Sequence, residues 1–222
     1  MGHVILAATG LRREARLLGR ADVIAVAGGG DDARLEAALE ARAPEATALL
    51  SIGLGGALVE GLRPGDWVLG EAGEGGWPAR LRTLLPDARV GPIHADGTMI
   101  ADAAAKRALH RATGAIAVDM ESHVARRVAR RHGLPFAILR VISDDAGHSL
   151  PAAARVGMRG DGEIAIGAVL ASLARDPRQI PALIVTARDA ARAMRSLLGG
   201  YDMLARFGFG LADLGQFPRD LT

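Results

Sequence analysis

Short runs of consecutive apolar residues alternate along the chain with segments in which apolar residues recur at helical spacing. The apolar runs span 3–9, 22–30, 46–58, 65–71 and 135–144. They lack the polar residue at every second position that a strand with one solvent-exposed face would show. The runs therefore predict strands that are buried on both faces, which is typical of a mostly parallel sheet.

Amphipathic or alanine-rich segments between and after these runs predict helices. The helical segments are 11–19, 32–44, 162–177 and 179–200, and the segment 117–133 begins as the end of a strand and continues as a helix. Gly133 and Gly199 are predicted to cap the helices that precede them, whereas 71–81 is predicted to be a loop.

The order of these elements predicts the fold class. Strands that alternate with helices favour an α/β fold, in which a mixed, mostly parallel central sheet carries helices on both faces. No shift in composition and no internal repeat divides the chain. We therefore expect a single domain over residues 1–222, with 201–222 as a peripheral tail.

The composition narrows the class of protein. The chain has 222 residues, 50% of them hydrophobic, and no cysteine, which excludes disulfides, thiolate metal sites and a cysteine nucleophile. Its 27 lysine and arginine residues nearly balance 25 acidic residues, and no long basic run is present, so we expect no nucleic-acid partner. The first apolar run is too short for a signal peptide, and no apolar stretch is long enough to cross a membrane. These features predict a soluble cytoplasmic protein.

Glycines and carboxylates follow several of the predicted strands. These segments are Thr9–Glu14, Gly28–Asp31, Ser51–Gly56, Met120–Glu121 and Ser143–Asp144. In open α/β sheets, ligands bind beyond the carboxyl ends of the strands, so these segments are candidates for a site. Each also has a simpler interpretation when it is taken alone. The glycines could serve only as turns, Asp144 could cap a helix, and Glu14 or Glu121 could be a surface or helix-terminal acid.

The common nucleotide-binding and metal-binding patterns are missing from the sequence. Gly53, Gly55 and Gly56 lack the spacing of the dinucleotide-binding fingerprint, and no Gly-Lys-Ser/Thr sequence is present. The six histidines are scattered, without the spacing of metal ligands. No Gly-x-Ser-x-Gly sequence supports a serine nucleophile. We therefore expect neither a metal nor a cofactor.

Two linked motifs end neighbouring strands: "AVDMES" carries a Met-Glu pair at the end of a strand, and "LPFAILRVISDDA" ends the next strand in Ile-Ser-Asp. Together they resemble the nucleoside phosphorylase and nucleosidase superfamily, and in particular its methylthioadenosine/adenosylhomocysteine nucleosidase branch. "LLSIGLGGALVEGLRPGDWVL" and "ILAATGLRREARLL" are similar to the family's glycine turn and first strand. A narrower likeness, to the hopanoid-associated phosphorylases or adenosylhopane nucleosidases, rests on "GLRREARLLGRADVIAVAGGGD" and "RDPRQIPALIVTARDAARAMRSLL".

The resemblance implies cleavage of the N-glycosidic bond of a 5′-substituted, adenosylhopane-like adenosine, with release of adenine, in hopanoid biosynthesis. It implies that Asp144 protonates N7 of the base and that Glu14 is the general base that activates water. Glu121 would accept hydrogen bonds from the ribose hydroxyls, above Met120 as an apolar floor. Protonation of the leaving base and a carboxylate near the ribosyl cation suit an oxocarbenium-like transition state.

The resemblance also implies a base pocket and a nucleophile pocket. The base would contact Ser143, Met99 and Ile100, although the stacking aromatic of the nucleosidases is missing from this segment. The nucleophile pocket would be formed by the residues of the glycine turns and the first helix, namely Gly10, Arg12, Arg13, Gly29, Gly53 and Gly55.

Several alternatives stay open at this point. The nucleophile is either water, activated by Glu14, or phosphate, held by Arg12 or Arg13. Accordingly, the enzyme could be a methylthioadenosine/adenosylhomocysteine nucleosidase or a purine nucleoside phosphorylase. Outside enzymes, a non-catalytic nucleoside-binding module or an interaction protein without a small ligand would have the same fold. The family resemblance further implies a homo-oligomer, most simply a dimer.

Overall fold

The computed structural model describes residues 3–71, 76–156 and 165–211. The strands are β1 Ile5–Thr9, β2 Val23–Ala27, β3 Ala48–Ala57, β4 Trp67–Gly70, β5 Arg89–Gly91, β6 Ile93–Ala95, β7 Ala117–Asp119 and β8 Phe136–Asp144. The α-helices are α1 Arg12–Leu18, α2 Asp32–Arg42, α3 Trp77–Leu84, α4 Ala103–Thr113, α5 Ser122–Arg131, α6 Ala152–Val156, α7 Ile166–Arg175 and α8 Ile180–Arg206.

The strands form one mixed, mostly parallel sheet, as the sequence predicts. Its main order is β2-β1-β3-β8-β4-β5, and β7 joins the far end of β3 and pairs with β6. The pairs β1–β2, β1–β3, β3–β8, β4–β5 and β6–β7 are parallel. Only β3–β7 and β4–β8 are antiparallel within the described sheet. The carboxyl ends of β1, β2, β3 and β8 therefore meet at one edge.

Helices cover both faces of this sheet, because successive residues of its buried strands point to opposite faces. On β1, Ile5 packs into a core layer with residues of α1, α3 and α8. Leu6, the next residue, packs into a second layer with residues of α2 and α5. Two apolar layers on one sheet explain why β1 and β3 contain so few polar residues.

Two local predictions are wrong, and buried aromatic residues explain both. Residues 71–81 were predicted as a loop, but α3 begins at Trp77, whose buried indole N–H donates to the carbonyl of Phe209 at 2.7 Å. Gly199 was predicted as a helix cap, but α8 continues to Arg206. The buried Tyr201 lies in this last part of α8 and donates a hydrogen bond to the carbonyl of Leu18.

The other terminal predictions have mixed outcomes. Gly133 follows α5 with φ of +61°, so its predicted capping role is confirmed. The sequence patterns did not reveal α4, β5, β6 or α6. The first three residues of the predicted helix 162–177 and the second half of the predicted tail, 212–222, lie outside the described residues. In the described part of the chain, no helix is both long and apolar enough for a bilayer.

Candidate active site

Glycine turns at the sheet edge bring the predicted carboxylates close to the backbone. A Cβ atom at Gly10 would lie 3.1 Å from Glu121 Oε1, and one at Gly53 would lie 3.0 Å from Glu14 Oε2. A Cβ atom at Gly56 would lie 3.2 Å from Asp144 Oδ2. A side chain at any of these positions would crowd a carboxylate, which glycine avoids.

Glu14 is anchored by the two glycine turns that flank it. It lies in the first turn of α1 and is 1% exposed. Oε2 accepts hydrogen bonds from the N–H groups of Gly10 at 3.0 Å and Leu11 at 2.9 Å. Oε1 accepts from the N–H group of Leu54 at 3.0 Å. Burial raises the pKa of Glu14, against the opposing effect of these amides and of Arg140.

Glu121 lies next to Glu14 at the same edge, directly before α5. A Cβ atom at Gly28 would lie 3.2 Å from Glu121 Cγ. The second glycine turn, which is formed by residues 28–30 after β2, therefore also packs against this side chain. Burial, followed by the negative charge of Asp119, raises the pKa of Glu121 to about 8. Met120 lies beside the same turn, with its Cε 3.3 Å from a Cβ placed at Gly30.

A buried arginine, Arg140, lies beneath these acids and was missed by the sequence analysis. Its Nε lies 3.1 Å from Asp119 Oδ2, and Nη2 lies 3.9 Å from Glu121 Oε2. Nη2 also donates to the hydroxyls of Ser51 at 2.7 Å and Ser122 at 3.1 Å. The signal in the sequence is a single charged residue within the apolar run of β8, where only a paired charge is tolerated.

We expect Arg140→Met to destabilise the fold. Because the substitution leaves Asp119 as a buried charge without its cation, it should lower the free energy of unfolding by about 3–5 kcal/mol. Urea unfolding measures this change. Arg111→Met, on an exposed position of α4, is the control and should change it by less than about 0.5 kcal/mol. An Arg140→Met protein as stable as the control would contradict the role of the ion pair.

Asp144 is the last residue of β8 and lies against Gly56 of the neighbouring strand β3. Oδ1 accepts a hydrogen bond from Ser143 Oγ at 2.7 Å, and Ser143 Oγ lies 3.2 Å from the carbonyl oxygen of Gly55. Oδ2 accepts from the buried Lys106 on α4, which the sequence analysis also missed. Asp145 is exposed, and its carboxylate accepts a local hydrogen bond from the N–H of Gly147.

Asp144 and Glu14 lie against different glycines of β3. The two glycines that they contact, Gly56 and Gly53, are three residues apart on β3. Three residues of extended strand span roughly 10 Å. The two carboxyl groups therefore lie against separate parts of the strand.

The remaining predicted pocket residues have diverse environments. Gly29 has a φ of +67° in the second turn, and a Cβ atom at Gly55 would lie 3.0 Å from the carbonyl oxygen of Val118. Arg12 is exposed. Met99 is half-buried, and Ile100 packs against a small apolar cluster around Val118. The roles predicted for these residues stay predictions.

An apolar cleft of about 650 Å³ lies beside Glu14. Leu11 and Leu54, whose N–H groups bind the Glu14 carboxylate, line it. Residues of α8 and the arginines Arg13 and Arg16 complete the lining; the α8 residues are Ala187, Ala190, Ala191, Met194, Arg195 and Leu198. A bulky apolar group attached to a ligand at Glu14 could enter this cleft.

The raised pKa of Glu121 predicts a pH-dependent stability. Because the folded protein favours the protonated form, this contribution is complete below the ordinary pKa of 4.5 and is lost as the pH rises to about 8. The free energy of unfolding should therefore fall over this range in the wild type, by on the order of a few kcal/mol. Urea unfolding at pH 5, 7 and 9 measures it. Glu121→Gln should flatten the dependence, and parallel curves for the two proteins would contradict the assignment.

Part of the sequence matches a known protein family. A sequence model of the phosphorylase superfamily matches residues 78–175, a segment that includes Lys106, Glu121, Arg140 and Asp144. No curated protein matches the sequence.

Solved structures of nucleosidases have the same fold. S-adenosylhomocysteine nucleosidase from Streptococcus pyogenes, in complex with 5-methylthiotubericidin, gives a TM-score of 0.59 at 16% identity, over 96% of this chain and 98% of that one. The 5′-methylthioadenosine/S-adenosylhomocysteine nucleosidase of Helicobacter pylori gives 0.59 at 14% identity, over 91% and 99%. Futalosine hydrolase of Helicobacter pylori gives 0.57 at 17% identity, over 65% and 88%. The chain therefore has the α/β fold of the nucleosidases, and its residues 78–175 match the phosphorylase superfamily.

Proposed function

We propose that the protein is a nucleosidase that hydrolyses the N-glycosidic bond of a 5′-substituted adenosine and releases adenine. The observation that carries this proposal is the convergence of Glu14, Glu121 and Asp144 on the glycine turns at one sheet edge. Three carboxyl groups in different surroundings can take three different roles in one reaction. The superfamily match and the nucleosidase fold support the same reaction class.

Each carboxyl group has a role that follows from its surroundings. Asp144, held by Ser143, protonates N7 of adenine, so that the base leaves as a neutral molecule. Glu121, in the pair with Met120, accepts hydrogen bonds from the 2′ and 3′ hydroxyls. Its ionised form, which predominates only above about pH 8, stabilises the positive charge that develops on the ribose. Glu14 orients a water molecule and takes its proton as the water attacks C1′. Arg140 holds the acidic cluster in place from below.

The anchoring of Glu14 favours water over phosphate as the nucleophile. The N–H groups of Gly10, Leu11 and Leu54, which could otherwise bind an anion, already donate to Glu14. A phosphate dianion at this position would lie against a carboxyl group. The cavity at the second glycine turn is no better suited, because Asp31, Asp32 and Asp96 line it.

The apolar cleft supports a large apolar 5′ substituent, as in adenosylhopane, and a role in hopanoid biosynthesis. Its volume of about 650 Å³ is within the range of pockets that enclose drug-sized ligands. Its lining combines alanine and leucine side chains with arginine side chains. A methylthio group would leave most of this volume unfilled.

A substitution in the cleft tests the substituent. Ala190→Trp should reduce kcat/KM for adenosines with a bulky apolar 5′ group by at least roughly tenfold, because each displaced apolar contact is worth about 1–3 kcal/mol. Plain adenosine should be cleaved as by the wild type. Ala182→Trp, on the same helix but outside the lining of the cleft, is the control. Equal losses on both substrates, or no loss on either, would argue against the cleft as the 5′ site.

A methylthioadenosine/adenosylhomocysteine nucleosidase is the second candidate, since two solved proteins with this fold are named as nucleosidases of these compounds. It predicts a higher kcat/KM for methylthioadenosine than for a bulky apolar 5′-substituted adenosine. Purine nucleoside phosphorylase predicts adenine release only with phosphate. A non-catalytic nucleoside-binding module predicts binding of these compounds without any release of adenine.

We further propose that the protein forms a homodimer. Helices α7 and α8 expose large apolar side chains, among them Ile166 at 68%, Leu170 at 61% and Ile184 at 45%. Exposed apolar side chains that cluster on a surface mark an interaction site, and two-fold dimers are the commonest closed assembly. Light scattering at micromolar concentration should give twice the mass of 23.0 kDa, and a strictly monomeric mass would contradict the proposal.

A further inference from the structure

Lys106 is the only lysine of the chain, whose other basic residues in the count of 27 are all arginines. It lies on α4 and is fully buried, with 0% of its surface exposed. All the remaining residues in this count are arginines, and the single lysine lies in the interior. The presence of lysine rather than arginine at this one position therefore calls for a chemical reason.

The ammonium group of Lys106 is saturated with acceptors. Nζ donates to Asp144 Oδ2, to the carbonyl oxygen of Asp145 at 2.7 Å and to the carbonyl oxygen of His148 at 3.1 Å. These three bonds use all three of its protons. An arginine could also hold a carboxylate, but it does not give up a proton in proteins, whereas a buried lysine can.

The contacts of Asp144 leave its role as an acid incomplete. Lys106 donates to one oxygen and Ser143 to the other, so each oxygen already accepts a hydrogen bond from a neighbouring side chain. A carboxyl group that passes a proton to a leaving base must receive another, and a hydrogen-bond donor to that carboxyl group is its most direct source. Of the two donors, the Lys106 ammonium carries three N–H protons and Ser143 a single hydroxyl proton.

We propose that Lys106 is a positioning residue that also supplies, through Asp144, the proton that adenine takes as it leaves. This inference rests on the proposed nucleosidase reaction. An Nζ–H bond breaks as an O–H bond forms on Asp144, and Asp144 passes a proton to N7 while the C1′–N9 electron pair moves to the base. Water adds to C1′ and its proton goes to Glu14. After adenine leaves, solvent returns one proton to the lysine amine, and Glu14 releases one, so that the reaction is balanced.

Comparing two leaving groups separates this role from a structural one. Adenosine needs protonation of its base, whereas 4-nitrophenyl β-D-ribofuranoside releases a phenolate that leaves without a proton. Lys106→Arg keeps the positive charge but cannot release a proton, and Lys106→Met removes both. Each variant should lose roughly 10²-fold or more of the wild-type rate on adenosine and stay within a few-fold of wild type on the nitrophenyl riboside.

The outcomes separate the inference from the proposed function. Wild-type adenosine cleavage by Lys106→Arg would overturn the inference, because charge alone would then suffice. Equal losses on both substrates in a folded variant would also overturn it. A wild-type protein that cleaves neither substrate would instead contradict the proposed function.

Combining substitutions tests whether Lys106 acts through Asp144. On adenosine, Lys106→Met should cause no further loss of rate in an Asp144→Asn background, because both changes interrupt the same transfer. The double variant also avoids a buried carboxylate without its cation, so it remains informative if Lys106→Met alone does not fold. If the rate loss of the double variant equals the product of the two single losses, Lys106 acts independently of Asp144. This result would overturn the inference.

Discussion

Asp144→Asn should lower turnover on adenine nucleosides by roughly 10²–10⁴, the usual contribution of a general acid. The asparagine carbonyl can still accept a hydrogen bond from Lys106 or from Ser143, so the geometry of the site is retained in part. What the variant lacks is a carboxyl oxygen that can carry a proton to N7. The steady-state rate of adenine release, quantified by chromatography, measures the effect.

Asp145→Asn is the matched control for this substitution. Asp145 is the next residue of the chain, it is exposed, and an asparagine can still accept the hydrogen bond from the N–H of Gly147. We expect wild-type turnover from the control and a similar melting temperature in both variants. Wild-type turnover by Asp144→Asn would remove Asp144 from the mechanism.

Glu14→Gln should reduce hydrolysis to a comparable extent, because the amide cannot take a proton from water. The change also affects the anchoring of the side chain. A glutamine has one acceptor oxygen, so its NH₂ group must face either the N–H of Leu54 or those of Gly10 and Leu11. We therefore expect a loss of stability of about 1–3 kcal/mol beside the loss of rate. Urea unfolding and adenine release together measure both effects.

Added phosphate distinguishes the two nucleophiles in this variant. If water is the nucleophile, phosphate should neither stimulate the wild type nor rescue Glu14→Gln. Arg12→Ala and Arg13→Ala should then retain most of the wild-type activity. Activity of Glu14→Gln that rises with phosphate concentration would show that phosphate attacks C1′ and that Glu14 is not the essential base.

Much of this site is predictable from the sequence because its parts follow buried strands. The continuous apolar runs of β1, β3 and β8 indicate strands that are buried on both faces of a parallel sheet. The residues that follow such strands lie at the carboxyl edge of the sheet. Glu14, Glu121 and Asp144 are found at that edge, next to Gly10, Gly53 and Gly56. The close approach of carboxylates to glycines also explains why those turns contain glycine.

The partners of these acids could not be predicted in the same way. Lys106 lies on α4, a helix that was not predicted, and nothing in the local sequence linked it to the end of β8. Arg140 is visible as a charge within an apolar run, but its partner Asp119 lies on a different strand. Trp77 and Phe209 are likewise joined only by the folded chain. Contacts between distant segments decide these features, and local patterns do not report them.

Adenine release in phosphate-free buffer made with ¹⁸O-labelled water tests the central claim most directly. The purified protein is incubated with a bulky apolar 5′-substituted adenosine, and the products are identified by mass spectrometry. We expect free adenine and a ribosyl product that carries one ¹⁸O at C1. Absence of adenine under these conditions, or its appearance only after phosphate is added together with a ribose 1-phosphate, would contradict it.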